Sequence, residues 1–383
     1  MKKKKILVTT GTRADYGILR EILFKIIKNK NFELLLVVTG THLSKKYGYT
    51  LNEIEKDGFK INYKIPLFSK DDTSYSMTQT LGQSILEFGK IHKKFQPDIN
   101  LILGDRDEML ASAISAYHMN IVNAHISGGD KSGGLDEYTR HAITKMSNIH
   151  FAISKKSKIR ILKMGENPDF VFYTGSPGMD DLVNKKIGSK LEIQNKFNLD
   201  FNKNFILLLQ HPVTTRINET EKHILNVLKA IVKSKKQTIA ILPNSDAGSN
   251  IIHKNLKIYA KKFPFIRIYK NIPRREYLGL LENTGLLIGN SSSGITEAGF
   301  FGTPVINVGI RQKNRDRGSN VLDINGNNSE KIFLLIQKCL KSKKRGIYKN
   351  SHIYGRGNSS SKIVQILENI PIDQSLIDKQ IMY

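Results

Sequence analysis

Cysteine is nearly absent from this chain: Cys339 stands alone in 383 residues. An internal disulfide and a cysteine-based zinc site are thereby excluded, which suits a reducing compartment. Long apolar runs are missing too. No stretch approaches the ~18 apolar residues of a membrane span, and Ile6 to Val8, behind the lysines at 2–5, are too few for a signal-peptide core. The expectation is a cytoplasmic protein with no membrane partner. Acidic residues are scarce, 34 against 60 Lys and Arg, which gives a formal charge of +26. Such a charge attracts polyanions. The lysines, however, fall in short scattered clusters (Lys2 to Lys5; Lys155, Lys156 and Lys158; Lys341, Lys343 and Lys344) with no interleaved aromatics, so a solvated surface is expected and no nucleic-acid partner. No short internal repeat occurs. Neither the GxGxxG spacing of a dinucleotide fingerprint nor a Walker lysine follows the first strand.

What is present is an ordinary globular composition, 39% hydrophobic and 8% aromatic, in a chain long enough for two domains. Short β-branched runs alternate with longer amphipathic stretches, the pattern of βα units on parallel sheets. Strands are predicted at Lys5 to Thr10, Glu33 to Thr39, Ile61 to Ile65, Ile99 to Leu103, Ile121 to Ile126 and His150 to Ile153. In the second half they are predicted at Phe205 to Leu209, Thr238 to Leu242, Ile266 to Tyr269, Leu286 to Ile288 and Pro304 to Val308. Helices are predicted between them, the first from Gly17 to Lys28. The pattern weakens from Thr174 to Gly188, which reads as an interdomain connection. The predicted fold is therefore α/β, with two Rossmann-like domains at 1–178 and 179–360 and a C-terminal helix and tail at 361–383. Such sheets bind ligands at the carboxyl ends of their strands, so function should sit on the loops after strands, around a shared cleft.

Those loops carry the chemistry. TTGTRADYG, Thr9 to Gly17, brings Arg13 and backbone N–H groups to a helix start, a place for an anion or simply a strand-to-helix turn. GNSSSG, Gly289 to Gly294, concentrates hydroxyls at another helix start, as a phosphate cradle or a serine-rich cap does. Glu297 lies one turn further on. Carboxylates crowd three loops of the first half: GDRDE with Asp105 and Arg106, GGD with Asp130, and DEYTRH with Asp136 and Glu137. A desolvated carboxylate at a crevice edge can exchange protons. In the second half, LQHPVTT sets His211 after a strand, as a general acid, a phosphate ligand or a structural histidine. PNSDAGS does the same for Asn244, and Arg311 follows the strand Pro304 to Val308.

Taken in order, GTRADYG, GDRDE, ISGGDKSGGLDEYTRHAITKMSNIH, LQHPVTT, PNSDAGS and GNSSSGITEAGFFGTPVINVGIRQ resemble the UDP-N-acetylglucosamine 2-epimerase family from about Lys5 to about Leu367. The GGD, DE and RHAITK segment looks like the hydrolysing branch. The resemblance implies two Rossmann-like domains of the arrangement shared with GT-B glycosyltransferases. It also implies that Arg13, Arg106, Ser291, Ser292 and Arg311 surround a diphosphate, Glu297 a ribose, and the neighbourhood of Ile272 and Tyr277 a base, with Asn244 and His211 near the diphosphate and sugar. Asp105, Asp130, Asp136 and, more weakly, Glu137 become the candidates for proton transfer. No metal and no redox cofactor is implied, and relatives are commonly homo-oligomers, dimers or tetramers. The activity implied is conversion of UDP-N-acetylglucosamine and water to N-acetylmannosamine and UDP, the sialic-acid type. An alternative sugar is N,N'-diacetylbacillosamine on UDP or GDP, as in legionaminic acid pathways, and an alternative of another class is a GT-B glycosyltransferase. One departure is that Asp130 occupies a position where the hydrolysing enzymes usually have Glu, which withdraws the carboxylate by roughly 1 to 1.5 Å.

Overall fold

The computed structural model describes residues 3–68, 71–344, 346–348 and 351–383; Lys2 of the predicted N-terminal lysine cluster lies outside them. Among these residues two sheets form, and every strand pairing within them is parallel. The first sheet takes β1 (Lys4–Thr10), β2 (Phe32–Thr39), β3 (Ile61–Ile65), β4 (Ile99–Leu103), β5 (Val122–Ile126), β6 (Ile149–Ala152) and β7 (Val171–Tyr173), in the spatial order β3-β2-β1-β4-β5-β6-β7. The second takes β8 (Ile206–Leu209), β9 (Thr238–Ile241), β10 (Ile266–Tyr269), β11 (Leu286–Gly289), β12 (Val305–Val308) and β13 (Val321–Ile324), in the order β10-β9-β8-β11-β12-β13. Both are doubly wound. β4, β5 and β12 are buried along their whole length, as strands covered by helices on both faces must be.

The first helix, Arg13–Lys28, begins earlier than its predicted start at Gly17. Thr12 caps it by accepting from the backbone N–H of Asp15, and the Asp15 carboxylate returns a bond to the Thr12 N–H. That reciprocal box satisfies donors that a helix start otherwise leaves open. Half of the predicted anion loop is therefore helix. Leu19, Ile22, Leu23 and Ile26, at helical spacing, fill the core beneath.

Among the elements that escaped the sequence reading are β7, β13 and the helices Leu51–Lys56, Lys155–Lys163, Lys190–Phe197 and Gln374–Ile377. β7 has three residues, β13 has no fully buried position, and KKSKIRILK reads as a charge cluster because its lysines hold the solvent face. The predicted connection also contains a helix, Gly178–Val183. Its Asp180 accepts from the N–H groups of Ser359 and Ser360 at 2.9 and 2.8 Å and so caps the helix Ser359–Asn369. That C-terminal helix returns to the first sheet, where the Lys4 ammonium donates to the carbonyls of Leu367, Glu368 and Ile370 at 3.2, 2.8 and 2.7 Å, a cation on the negative end of a helix.

Candidate functional site

In each sheet the strand order reverses at one place, between β1 and β4 and between β8 and β11, and ligands of such sheets lie in the crevice that opens there. The four strands deliver Gly11 to Arg13, Gly104 to Arg106, Gln210 with His211, and Asn290 to Ser292. Each of these segments carries residues singled out above for reasons of chemistry: Arg13, Asp105 with Arg106, His211, and Ser291 with Ser292. One cavity is lined by Arg13, Ile272, Tyr277, Ser291, Ser292 and Glu297, together with Ile18, Leu209, Ile241 and Arg274. It has an apolar floor, a row of hydroxyls at one rim and two guanidiniums. Arg13 donates to the Ile272 carbonyl across the interdomain crevice, and burial lowers its pKa to about 10. Tyr277 and Ser291 both hydrogen-bond to Ser293, so the GNSSSG hydroxyls form a connected set. The Glu297 carboxylate accepts from Arg274 at 2.9 Å, and Arg274 also bonds Asp181 at 2.6 Å and the Gly178 carbonyl at 2.8 Å.

His211 follows β8 and is buried. Its backbone is clamped by Asn290, whose side chain accepts from the His211 N–H at 2.7 Å and donates to its carbonyl at 2.9 Å. Nδ1 accepts from the Asn244 N–H at 3.3 Å, which assigns the ring proton to Nε2. Burial, with Arg311 adding repulsion, lowers the His211 pKa to about 3. The neutral ring is a hydrogen-bond donor through Nε2. Arg106 bonds Glu108 at 2.9 Å and reaches Asp246 across the cleft at 3.5 Å. Burial opposes its charge, but Glu108 and Asp246 hold it above its ordinary value.

The carboxylates of the first half meet arginines. Asp136 accepts from Arg311 at 2.9 Å, a bond across the cleft, and Arg311 also donates to the Asn290 carbonyl at 3.4 Å. Asp105 pairs with Arg140. Asp130 accepts from Arg315 at 2.7 Å and from the Lys131 N–H at 3.0 Å. It was expected at the crevice edge. Instead its relative exposure is 0%, with Arg315 of the second domain against it. Glu137 is held within its own domain, accepting from the Ser132 N–H at 2.6 Å with His141 at 3.1 Å on its other oxygen. These bonds keep its carboxyl below the usual range against the opposing effect of burial.

Several participants went unrecognised in the sequence. Arg140, Arg274 and Arg315 were not singled out, although each forms an ion pair here. Asp72 accepts from the N–H groups of Gly248 and Asn250 at 2.9 and 3.0 Å, capping a helix of the opposite domain. Asp107 is pushed up to about 6 by burial and by neighbouring Glu108. Of these, Asp107 and Arg140 carried a signal, as members of the quoted segments GDRDE and DEYTRH.

Two doubly wound sheets facing each other across a polar cleft, with their carboxyl ends inward, define a two-domain α/β protein of the GT-B-like class. The structure of UDP-GlcNAc 2-epimerase from Neisseria meningitidis bound to UDP-GlcNAc has this fold: the TM-score is 0.80 over 95% of this chain and 99% of that one, at 19% identity. The profile of the family described as UDP-N-acetylglucosamine 2-epimerase matches residues 25–368, and the chain belongs to that family. Over 376 residues, 98% of each chain, it is 37% identical to the hydrolysing UDP-N,N'-diacetylbacillosamine 2-epimerase of Legionella pneumophila. Over 338 residues, 88% of this chain and 87% of the other, it is 34% identical to the UDP-N-acetylglucosamine 2-epimerase of Neisseria meningitidis. No helix among the described residues is long and apolar enough to cross a membrane.

Proposed function

We propose that the protein is a hydrolysing 2-epimerase of UDP-N,N'-diacetylbacillosamine. The observation that carries the reaction class is the bond between Asp136 and Arg311 at 2.9 Å, which brings an acidic rim from one domain against a cationic, hydroxyl-rich grip from the other. The sugar is chosen by likeness: the Legionella relative aligns over 98% of this chain at 37% identity. UDP-N-acetylglucosamine is the second reading, favoured by the Neisseria relative at 34%. These sugars differ at C4 and C6, so the same C2 chemistry serves both.

In this reading the base and ribose occupy the cavity of Ile272, Tyr277 and Glu297, and the diphosphate lies against Ser291, Ser292, Arg311 and the Nε2–H of His211. Arg13 and Arg106 add charge from the first domain. The C2 proton is feebly acidic, so a carboxylate, Asp105 or Asp136, removes it while the bond from C1 to the diphosphate oxygen breaks. UDP departs with that electron pair and a 1,2-unsaturated sugar remains. Guanidiniums and a helix start stabilise the leaving group. Water then adds at C1 while a proton returns to C2 from the opposite face, giving the free epimerised sugar. Asp130, buried against Arg315, supports the loop and does not itself exchange the proton.

Proton NMR in heavy water, run in parallel with the bacillosamine and the N-acetylglucosamine nucleotides, tests this reading. Expected is UDP release with deuterium at C2 of the freed sugar, faster from the bacillosamine nucleotide. Release from neither overturns the reaction; release from UDP-N-acetylglucosamine alone overturns the sugar.

A further inference from the structure

Arg140 stands out among the buried cations. It lies on the helix Leu135–Lys145 and is only 3% exposed. Asp105 is its one ion-pair partner among the described residues. Its Nε and Nη1 are buried and meet no acceptor of the described protein. Arg315 and Arg311 are close enough to act on it by repulsion, and together with burial they pull its pKa well below the ordinary value. A guanidinium sunk among like charges with one carboxylate is a poor device for stability, because desolvation and repulsion oppose the single attraction. Buried donors without acceptors call for an explanation. The same helix supplies the Asp136 that bridges to Arg311, so Asp136 and Arg140 lie one turn apart on one face of it.

We infer that Arg140 is a positioning residue for Asp105. The inference rests on the proposed reaction, in which Asp105 is a candidate base. Asp105 follows β4 on the left-handed turn of Gly104 (φ +82°), and Arg140 fixes which oxygen faces the sugar. Its Nη2 holds the Asp105 carboxylate while Nε and Nη1, fixed in the same plane, remain for an oxygen of the substrate, which an ammonium cannot reproduce. The nucleotide cavity lies in the other half of the cleft and does not include Arg140.

Arg140→Met and Arg140→Lys are therefore compared with the parent enzyme in kcat for the nucleotide-sugar and, separately, in Kd for UDP. The expected result is a fall in kcat of about 100-fold for Met, the scale of a catalytic group misplaced by about 1 Å. A fall of about tenfold is expected for Lys, which keeps the charge and loses the fork. UDP affinity should stay within about threefold of the parent, since a defect confined to the reacting end leaves nucleotide binding intact. In an Asp105→Asn background the Met substitution should add little, because residues acting as a unit are non-additive. If Arg140→Met does not fold, Arg140→Lys decides alone. Unchanged kcat in a folded variant, or losses in kcat matched by equal losses in UDP affinity, would overturn the assignment. An inactive parent enzyme would instead overturn the reaction on which it rests.

Discussion

Replacing Gly133 by alanine should separate the two halves of the site without removing any of its polar groups. Gly133 lies in the SGG turn before Asp136, and its N–H donates to the Arg311 carbonyl at 2.8 Å. A methyl group built there would sit 2.9 Å from the carbonyl carbon of Ile310, nearer still to its oxygen, and 3.5 Å from the Arg311 Cα. Carbon atoms rest at about 3.5–4.0 Å, so the backbone of Ile310 and Arg311 must retreat by roughly 1 Å. No positive φ is involved at Gly133, so the effect is steric and not conformational. The moved segment carries Arg311, which ties Asp136 to the Asn290 carbonyl. A displacement of about 1 Å at a reacting centre costs on the order of 100-fold in rate, and local overpacking costs about 1–3 kcal/mol of stability. Steady-state UDP release gives the first quantity and urea unfolding the second. If a folded Gly133→Ala enzyme kept kcat/KM within about threefold of the parent, the approach of these loops would not govern catalysis and the reasoning would fail.

Asp130→Asn should leave the buried Arg315 guanidinium without a counter-charge, since Asp130 is fully buried and Arg315 nearly so. A destabilisation of about 3–5 kcal/mol is expected by urea titration; a loss below about 1 kcal/mol would mean that the pair is dispensable. Acid should also weaken the fold. His125 and His211 are lowered to about 3, and His42 and His92 to about 4, chiefly by burial. Each folded pKa lies below the unfolded value of about 6.5, so stability is full above that pH and is lost as the pH falls through it towards the folded values, about 2 kcal/mol per histidine between pH 7 and 5. Asp15 and Asp107, raised to about 6 by burial, act with the opposite sign. Each returns about 1 kcal/mol over the same interval. The net loss of several kcal/mol is read as a falling urea midpoint, and an unchanged midpoint would contradict it.

Much of the architecture was legible in the chain because its signals are local. Alternation of β-branched runs with amphipathic stretches located all but two of the strands, and the residues after β1, β4, β8 and β11 were singled out before their convergence was known. The misses have physical causes. A capping box extended the first helix back to Arg13, β13 has no buried face to give it a period, and Lys155–Lys163 turns its lysines to solvent. Arg140, Arg274 and Arg315 were passed over because a buried arginine and a surface arginine look alike until their partners are known.

Residue order thus decided the two halves, their parallel βα units and the segments that reach the cleft, since periodicity and turn chemistry act within a few residues of themselves. Pairing across the cleft was decided only by the folded chain: Asp136 meets Arg311 over 175 residues of sequence and Asp130 meets Arg315 over 185. Which carboxylate is left accessible and which is buried against an arginine of the other domain depends on how two separately wound sheets face each other. Burial and charge pairing at such distances are properties of packing, and no local pattern encodes them.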